Sequence, residues 1–296
     1  MKVYKKYIGG IKMNKEKIAI LVDSGVDVPQ EFVKKYGMYV IPLKIIYQHG
    51  EYSDGVDITA QEVYRKLETE IPTTSLPSGD ELRAIFEKIK VDGYEKVLAI
   101  TISSGLSGTY NSIRLAGSQQ KGLEVFVLDT KNIGIGSGFS AIQAAEYIQQ
   151  GMPWDTLLQT LSENISKSKI FFCVSTLEYL RKGGRIGLVA TLLGSALNLK
   201  PVISCNEDGV YYTAAKVRGR KKSFDKAIQL AVNFIGDAKN YNIAIVNGDA
   251  EQEANQIKEI MMPLLPNCNI YVDGQISPAL GVHTGPGLIG IGVHII

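Results

Sequence analysis

Cysteine is scarce in this 296-residue chain, with only three residues at well-separated positions: Cys173, Cys205 and Cys268. No two of them form a Cys-x-x-Cys pair, and an odd number of isolated cysteines argues against a disulfide framework or a cysteine-ligated zinc site. Each lies beside apolar residues, as buried free thiols usually do. Cysteine usage therefore predicts a protein of the reducing cytoplasm.

The chain also lacks a strong charge of either sign and any long hydrophobic run. Its formal net charge of +2 gives no general attraction to nucleic acid or to a membrane surface. The longest uncharged stretch, residues 186–199, is too short to span a bilayer; we expect a core helix there, or a wall that sheathes an alkyl chain. Residues 1–12 are basic but lack the apolar core and cleavage site of a secretory signal, and Met13 is a second possible start. We treat residues 1–16 as an N-terminal extension outside the fold.

Several motifs that would assign chemistry are missing. The chain has no Gly-x-x-x-x-Gly-Lys-Ser/Thr loop for ATP and no His-Glu-x-x-His pair. The dinucleotide-binding motif Gly-x-Gly-x-x-Gly is incomplete, because Gly134 and Gly136 are followed by Phe139 at the position of the third glycine. Ser107 lies in Gly-Leu-Ser-Gly, which is not the Gly-x-Ser-x-Gly elbow of a serine hydrolase. These absences argue against a metal site, a bound nucleotide cofactor and a hydrolase of the nucleophile-elbow type, so we expect no metal and no cofactor.

The length of the chain suits two domains. Residues 17–168 alternate short apolar strands, at 18–22, 39–47, 96–100 and 124–128, with helices of ten or so residues. This alternation is typical of an α/β/α domain built on a parallel sheet. Ligands of such sheets bind at the carboxyl ends of the strands, so we expect the loops after Val22, Ile100 and Leu128 to open onto a site.

Residues 169–296 have a different pattern. A strand at 170–174 precedes a hairpin over 201–213, and then helices at 221–235 and 250–262 alternate with strands at 242–246, 269–272 and 288–296. Hairpins beside helical crossovers indicate a sheet with both strand directions. We predict a two-layer α/β domain with a mixed sheet.

Small hydroxyl residues and glycines crowd residues 101–112, between a predicted strand and a predicted helix. The first amides of a helix have no partner inside it and attract anions. This segment therefore predicts a binding site for a carboxylate or a phosphate, formed by Ser107, Gly108 and Thr109. The alternative is an N-cap with a glycine-containing turn.

Two more segments are candidates for binding. Thr73, Thr74 and Ser75 lie in a loop stiffened by two prolines, which could present a hydroxyl or be an ordinary capped linker. His283 lies in a glycine-rich segment predicted to be a loop; it could donate to a carboxyl ligand, or be a surface histidine in a turn.

Basic residues cluster at 181–186 and 218–222. Arginine offers a planar fork for anions, so each cluster could contact an anion or an electronegative partner, or simply form a solvated face.

Taken together, these motifs resemble the DegV family, the fatty-acid-binding proteins that carry the acyl chain for bacterial fatty acid kinase. The resemblance covers about residues 17–296 and depends on matching segments in the same order: Val22-Asp-Ser24, Thr73-Thr-Ser-Leu-Pro-Ser78, residues 103–112, Leu180-Arg-Lys-Gly-Gly-Arg-Ile186, Leu199-Lys-Pro201, Arg218 and His283-Thr-Gly-Pro-Gly287. Leu76 departs from the family pattern, which usually has Gln there.

The resemblance implies a lipid-binding subunit that is not itself an enzyme. The hydroxyls of Thr74 and Ser107 would hold the carboxyl group of a long-chain fatty acid, with His283 in the same polar network. Thr73, Ser75, Gly108 and Thr109 would form the supporting loops, including the amides beside Ser107. Arg218 would contact an ATP-binding kinase, which phosphorylates the carboxyl group to an acyl phosphate for phospholipid synthesis. The family works without nucleic acid and without stable insertion into a membrane.

Two other functions stay open from the residues alone. Ser107 and His283 could act together in a serine hydrolase, against which the missing elbow argues. The hydroxyl-rich loops could instead serve an enzyme that binds a small phosphometabolite.

Overall fold

Two β-sheets, one parallel and one mixed, organise the chain in this computed structural model, which describes residues 7–8, 11–192 and 199–296. The predicted α/β fold class, with a parallel-sheet domain before a mixed-sheet domain, is confirmed. The exact limits of the domains, at 16/17 and 168/169, stay predictions. Asn14 and Glu16 already contact the fold, through a hydrogen bond to the Ile18 carbonyl at 2.7 Å and an ion pair with Lys96 at 2.6 Å.

The parallel sheet has four strands. In chain order, the strands of the first half are β1 (Tyr7–Ile8), β2 (Ile11–Lys12), β3 (Ile18–Asp23), β4 (Tyr39–Ile41), β5 (Lys44–Tyr47), β6 (Gly50–Ser53), β7 (Thr73–Ser75), β8 (Lys96–Thr101) and β9 (Glu124–Asp129). The parallel strands run in the order β4-β3-β8-β9, and a small antiparallel sheet has the order β6-β5-β7. Strands β1 and β2 pair with each other.

Helices cover both faces of the parallel sheet. They are α1 (Gln30–Tyr36), α2 (Ala60–Lys66), α3 (Gly79–Val91), α4 (Thr109–Ser118), α5 (Ile135–Gln149) and α6 (Trp154–Glu163). The predicted caps of α2 and α3 are present, since Thr59 and Ser78 each form a capping box with the glutamate three residues later. Such boxes satisfy backbone amides that the helix cannot pair internally.

Six strands form the mixed sheet, in the order β12-β11-β10-β15-β13-β14. The elements of the second half are β10 (Ser168–Cys173), α7 (Glu178–Lys182), β11 (Val202–Cys205), β12 (Tyr211–Ala215), α8 (Arg220–Ile235), β13 (Tyr241–Gly248), α9 (Glu251–Met261), β14 (Cys268–Gln275), α10 (Pro278–Thr284) and β15 (Leu288–Ile295). Strands β13 and β14 are parallel, and the other neighbours in this sheet are antiparallel.

Helix α5 lies between the two sheets. Twelve of its 15 residues are buried, because it contacts β3 and β8 on one side and β10 and β15 on the other. A helix with apolar residues on more than one face is stable when neighbouring elements cover those faces. Gly292 of β15 lets α5 approach closely, since a Cβ there would lie 3.0 Å from Ile135. One apolar core therefore runs through both halves of the chain.

Three sequence expectations need correction. The strand predicted over 39–47 is two strands in different sheets, because the chain turns at Pro42, which has no amide to donate to a ladder. Residues 73–75 form the short strand β7, not a loop. The helix expected over 186–199 is a 3₁₀ helix at Gly187–Leu192, and residues 193–198 lie outside the described residues. Across the described part of the chain, no helix combines the length and apolar character needed to cross a membrane.

Candidate functional site

A cavity of about 220 Å³ opens between the two sheets. Three loops at the carboxyl ends of parallel strands contribute to it: Asp27 follows β3, Ile102 follows β8 and Ile133 follows β9. The expectation that the loops after Val22, Ile100 and Leu128 open onto one site is confirmed. The mixed sheet and α10 supply the opposite wall.

Most of the cavity wall is apolar. Aliphatic and aromatic side chains from both halves of the chain line it: Leu43, Leu76, Ile102, Leu106, Ile133, Ile135, Ile170, Phe172, Val246, Ile276, Ala279, Leu280 and Leu288. Such a surface offers few hydrogen bonds to a ligand and gains free energy when an apolar group displaces water from it. The wall therefore suits an alkyl chain.

Polar groups gather in one part of the lining. Thr74, Ser107, Arg185 and His283 all line the cavity and are partly buried. Thr74 reaches it because β7 pairs with β5, placing Thr74 opposite Ile45. Its Oγ1 lies 2.7 Å from Nε2 of His283, a residue 209 positions away in sequence. The fold thus brings together the three residues assigned to the ligand carboxyl group from the sequence.

Ser107 lies in the turn before α4. Its hydroxyl is 2.8 Å from Oγ1 of Thr109 and accepts from the Thr109 amide at 3.3 Å, while its own amide donates to the Ser103 carbonyl at 3.1 Å. Ser107 therefore has both predicted positions: its hydroxyl accepts from an amide at the start of α4, and its side chain lines the cavity. The amides of Ser107 and Thr109 already donate inside the loop, and the predicted anion contact of the neighbouring Gly108 amide stays a prediction.

His283 lies near the end of helix α10, not in a loop. Burial, followed by the nearby Arg185 charge, lowers the pKa of His283 to about 4, so the ring is neutral at physiological pH. Its Nδ1 is buried and has no hydrogen-bond partner within residues 7–8, 11–192 and 199–296. The neutral imidazole is therefore a hydrogen-bonding partner of Thr74 and not a counter-ion.

Arg185 is a candidate site residue that the sequence reasoning did not assign. Its side chain donates to the carbonyl of Leu106 from Nε at 3.3 Å and to that of Gly183 at 2.7 Å. Within the described residues it makes no salt bridge, and it is the only lysine or arginine in the cavity lining. An anionic ligand would be its counter-ion. The basic cluster at 181–186 was the available signal, but it did not show which arginine faces the cavity.

Asp27 is the one carboxylic acid among the described residues that line the cavity. Burial, followed by repulsion from Asp54, raises the pKa of its carboxyl group well above the usual range, which favours the neutral form. The carboxyl group accepts from the Ser277 amide at 3.2 Å, so it also anchors the start of α10. Asp27 therefore offers little electrostatic opposition to an anion.

The remaining site candidates lie around this centre. Thr73 and Gly108 are exposed and absent from the lining; Thr109 is buried behind Ser107; Ser75 is exposed and lines the cavity beside Leu76. Arg218 is exposed, does not line the cavity and follows β12, where it bridges Leu199.

The polar side chains of this site can form hydrogen bonds to a ligand. Ser107 and His283 make no hydrogen bond to each other in the described structure, because Nε2 faces Thr74 and Nδ1 is without a partner. A serine hydrolase needs its base within reach of the nucleophile. In the same residues, no group of three or more His, Cys, Asp or Glu could hold a metal ion.

Comparison with known proteins finds similarity over almost the whole chain. A family model described as an uncharacterised protein of the DegV family matches residues 17–295. The chain is 40% identical to a DegV domain-containing protein of Clostridium acetobutylicum, over 93% of this chain and 98% of the relative. Its fold is similar to that of a DegV family protein of Thermus thermophilus described by its fatty acid binding (TM-score 0.89, 28% identity, 94% and 99% of the two chains). DegV of Bacillus subtilis, described as a fatty acid binding protein, has a TM-score of 0.87 at 28% identity, covering 96% and 100%.

Proposed function

The chain belongs to the DegV family, and from this premise and the cavity we propose that it binds a long-chain fatty acid. The carboxylate meets Thr74, Ser107 and Arg185, and the tail lies along the apolar wall. The observation that carries the proposal is the division of one cavity into a polar part with a single cation and a larger apolar part. A phosphometabolite with several hydroxyls would leave those groups unpaired against that apolar wall.

The energetics support an acyl ligand. Burial gives ~0.8 kcal/mol per methylene, which amounts to on the order of 10 kcal/mol for a long chain before opposing costs. Desolvation of the carboxylate opposes binding unless hydrogen bonds and charge replace its water. Thr74, Ser107 and Arg185 would provide that replacement. The tail supplies affinity and the polar groups fix its direction.

Mass spectrometry of natively purified protein tests this proposal. We expect a co-purified fatty acid, and saturable binding of oleate or palmitate after its removal. Ser107→Ala should weaken binding while retaining the fold. A protein that carries no lipid and ignores both fatty acids, yet binds a phosphate ester tightly, would instead support the phosphometabolite function.

The chain would present this fatty acid to a separate ATP-binding kinase, which forms the acyl phosphate used in phospholipid synthesis. The missing ATP loop supports a division of labour in which this chain carries the substrate and needs no cofactor. Arg218 is suited to the partner contact because it is exposed and outside the cavity lining. We place this role in the cytoplasm, where Cys173, Cys205 and Cys268, all unpaired, would stay reduced.

Replacement of Arg218 tests the partner assignment. Arg218→Ala should bind oleate like the wild type and should slow acyl-phosphate formation by the cognate kinase. Lys239→Ala is a matched control, because Lys239 is an exposed cation beyond the opposite end of α8. Unchanged kinase-supported turnover of Arg218→Ala, or equal slowing of both variants, would remove Arg218 from the partner contact.

A further inference from the structure

Gly183 directly faces the ring of His283. Gly183 follows α7, and a Cβ at this position would overlap Nδ1 of His283 and lie 2.8 Å from Cε1 and 3.1 Å from the Tyr179 carbonyl oxygen. Its φ of −75° is one that any residue can adopt. Glycine is therefore required here for space around the histidine and not for backbone conformation.

This packing fixes which nitrogen of the neutral ring carries the proton. A proton on Nδ1 would be a buried donor without an acceptor, since Nδ1 has no partner in the described structure. Buried unpaired donors are rarer than unpaired acceptors, because a desolvated N–H without an acceptor is unfavourable. A proton on Nε2 has Oγ1 of Thr74 as its acceptor at 2.7 Å. The ring is thus favoured in the Nε2–H form.

The direction of this hydrogen bond determines what Thr74 offers to a ligand. A hydroxyl has one proton and two lone pairs. When Oγ1 accepts from Nε2–H, the hydroxyl proton of Thr74 stays available to the cavity. In the Nδ1–H tautomer, Nε2 would instead accept the hydroxyl proton of Thr74. Only lone pairs of Thr74 Oγ1 would then face the ligand, and they would repel a carboxylate.

Gly183 also positions the cation of the site. Its carbonyl oxygen accepts from the Arg185 guanidinium at 2.7 Å, and the same arginine donates to the Leu106 carbonyl beside Ser107. One residue therefore contacts both the histidine that orients Thr74 and the arginine that faces the ligand.

We propose that Gly183 is a positioning residue that holds His283 as the Nε2–H tautomer, so that Thr74 donates to the ligand and the site selects an ionised, acceptor-only head group. This inference rests on the proposed fatty-acid function for its ligand, but the state of the ring can be measured without one.

Nitrogen NMR of ¹⁵N-histidine-labelled protein, delipidated and held at pH 7, reads that state directly. We expect His283 to show a protonated Nε2 and an unprotonated Nδ1, with its signals assigned by their loss in His283→Gln. The chain has only two other histidines, His49 and His294. A proton on Nδ1, or a cationic ring, would overturn the proposal even if oleate binds well. Failure of oleate to bind wild-type protein would instead overturn the proposed function.

A pair of alanine variants tests the role of Gly183. Gly183→Ala should displace the ring, introduce the Nδ1–H form and weaken oleate binding at least about tenfold, the effect of one lost hydrogen bond to a charged group. Gly184→Ala is the control, because its Cβ would meet no atom within 4 Å although its φ of +71° makes it the more strained backbone position. If Gly183→Ala folds and keeps the wild-type tautomer and affinity, or if Gly184→Ala loses as much affinity, Gly183 does not position the site. If Gly183→Ala does not fold, the wild-type NMR measurement decides.

Discussion

Thr74→Val is the substitution that most directly tests the polar part of the site. Valine keeps the branched shape that suits strand β7 but removes the hydroxyl that lies 2.7 Å from His283. A hydrogen bond to a charged group is worth about 1.5–3 kcal/mol. Its loss corresponds to roughly 10- to 150-fold weaker binding. The variant also removes the hydrogen-bond partner of His283 Nε2, but this cost falls on free and ligand-bound protein alike and lowers stability, not affinity.

Isothermal titration of delipidated protein with oleate measures this effect, and Thr73→Val is the matched control. Thr73 is the preceding residue of the same strand, is exposed and does not line the cavity. We expect its affinity to stay within about twofold of the wild type, since surface substitutions usually change little. Near-wild-type affinity of folded Thr74→Val, or an equal loss in Thr73→Val, would refute the assignment of Thr74 to the carboxylate.

Two further predictions concern stability. Gly209 has a φ of +75°, and a Cβ there would overlap Oγ of Ser103. Gly209→Ala should therefore lower the free energy of unfolding, measured in urea, by at least about 2 kcal/mol. An unchanged urea midpoint would show that the turn before β12 does not pack against residues 103–105 as described. The pKa of His283 is about 4 when folded against 6.5 for the unperturbed group, so the unfolded chain binds the additional proton and His283 reduces stability as pH falls below 6.5. His283→Gln should lose about 2 kcal/mol less than the wild type between pH 7 and pH 5; equal losses would mean that the ring is not desolvated.

The sequence predicted the parallel sheet and the position of the cavity, because both follow from local periodicity and from the geometry of parallel strands. The loops that follow β3, β8 and β9 had to open at the same edge once those strands were recognised. The candidate residues Thr74, Ser107 and His283 came from local chemistry together with family resemblance. The contact between Thr74 and His283 across 209 positions, and the placement of Ser107 in the same cavity lining, are properties of the tertiary structure.

Elements that depend on long-range contacts were missed. The segment of helix α10 was predicted to be a loop because glycines lie within and after it. The helix forms because distant carboxyl groups hold its first turn: Asp54 accepts from the Ala279 amide at 2.8 Å, and Asp27 accepts from the Ser277 amide. Gly281 is needed for packing, since a Cβ there would lie 3.0 Å from the Tyr64 hydroxyl. Such reasons for a glycine are not visible in a single sequence. Similarly, Arg181 and Arg185 look alike in the chain, but Arg181 is exposed and only Arg185 lines the cavity.

The position of α5 has a consequence for how the molecule unfolds. Because this helix packs on both sheets at once, neither sheet can lose its core without exposing the apolar surface of the other. We expect calorimetry to show a single cooperative transition, although the topology has two domains. A fragment ending near residue 168 would expose the side of α5 that faces β10 and β15 and should aggregate. A ligand held between the sheets should then delay the unfolding of both sheets together.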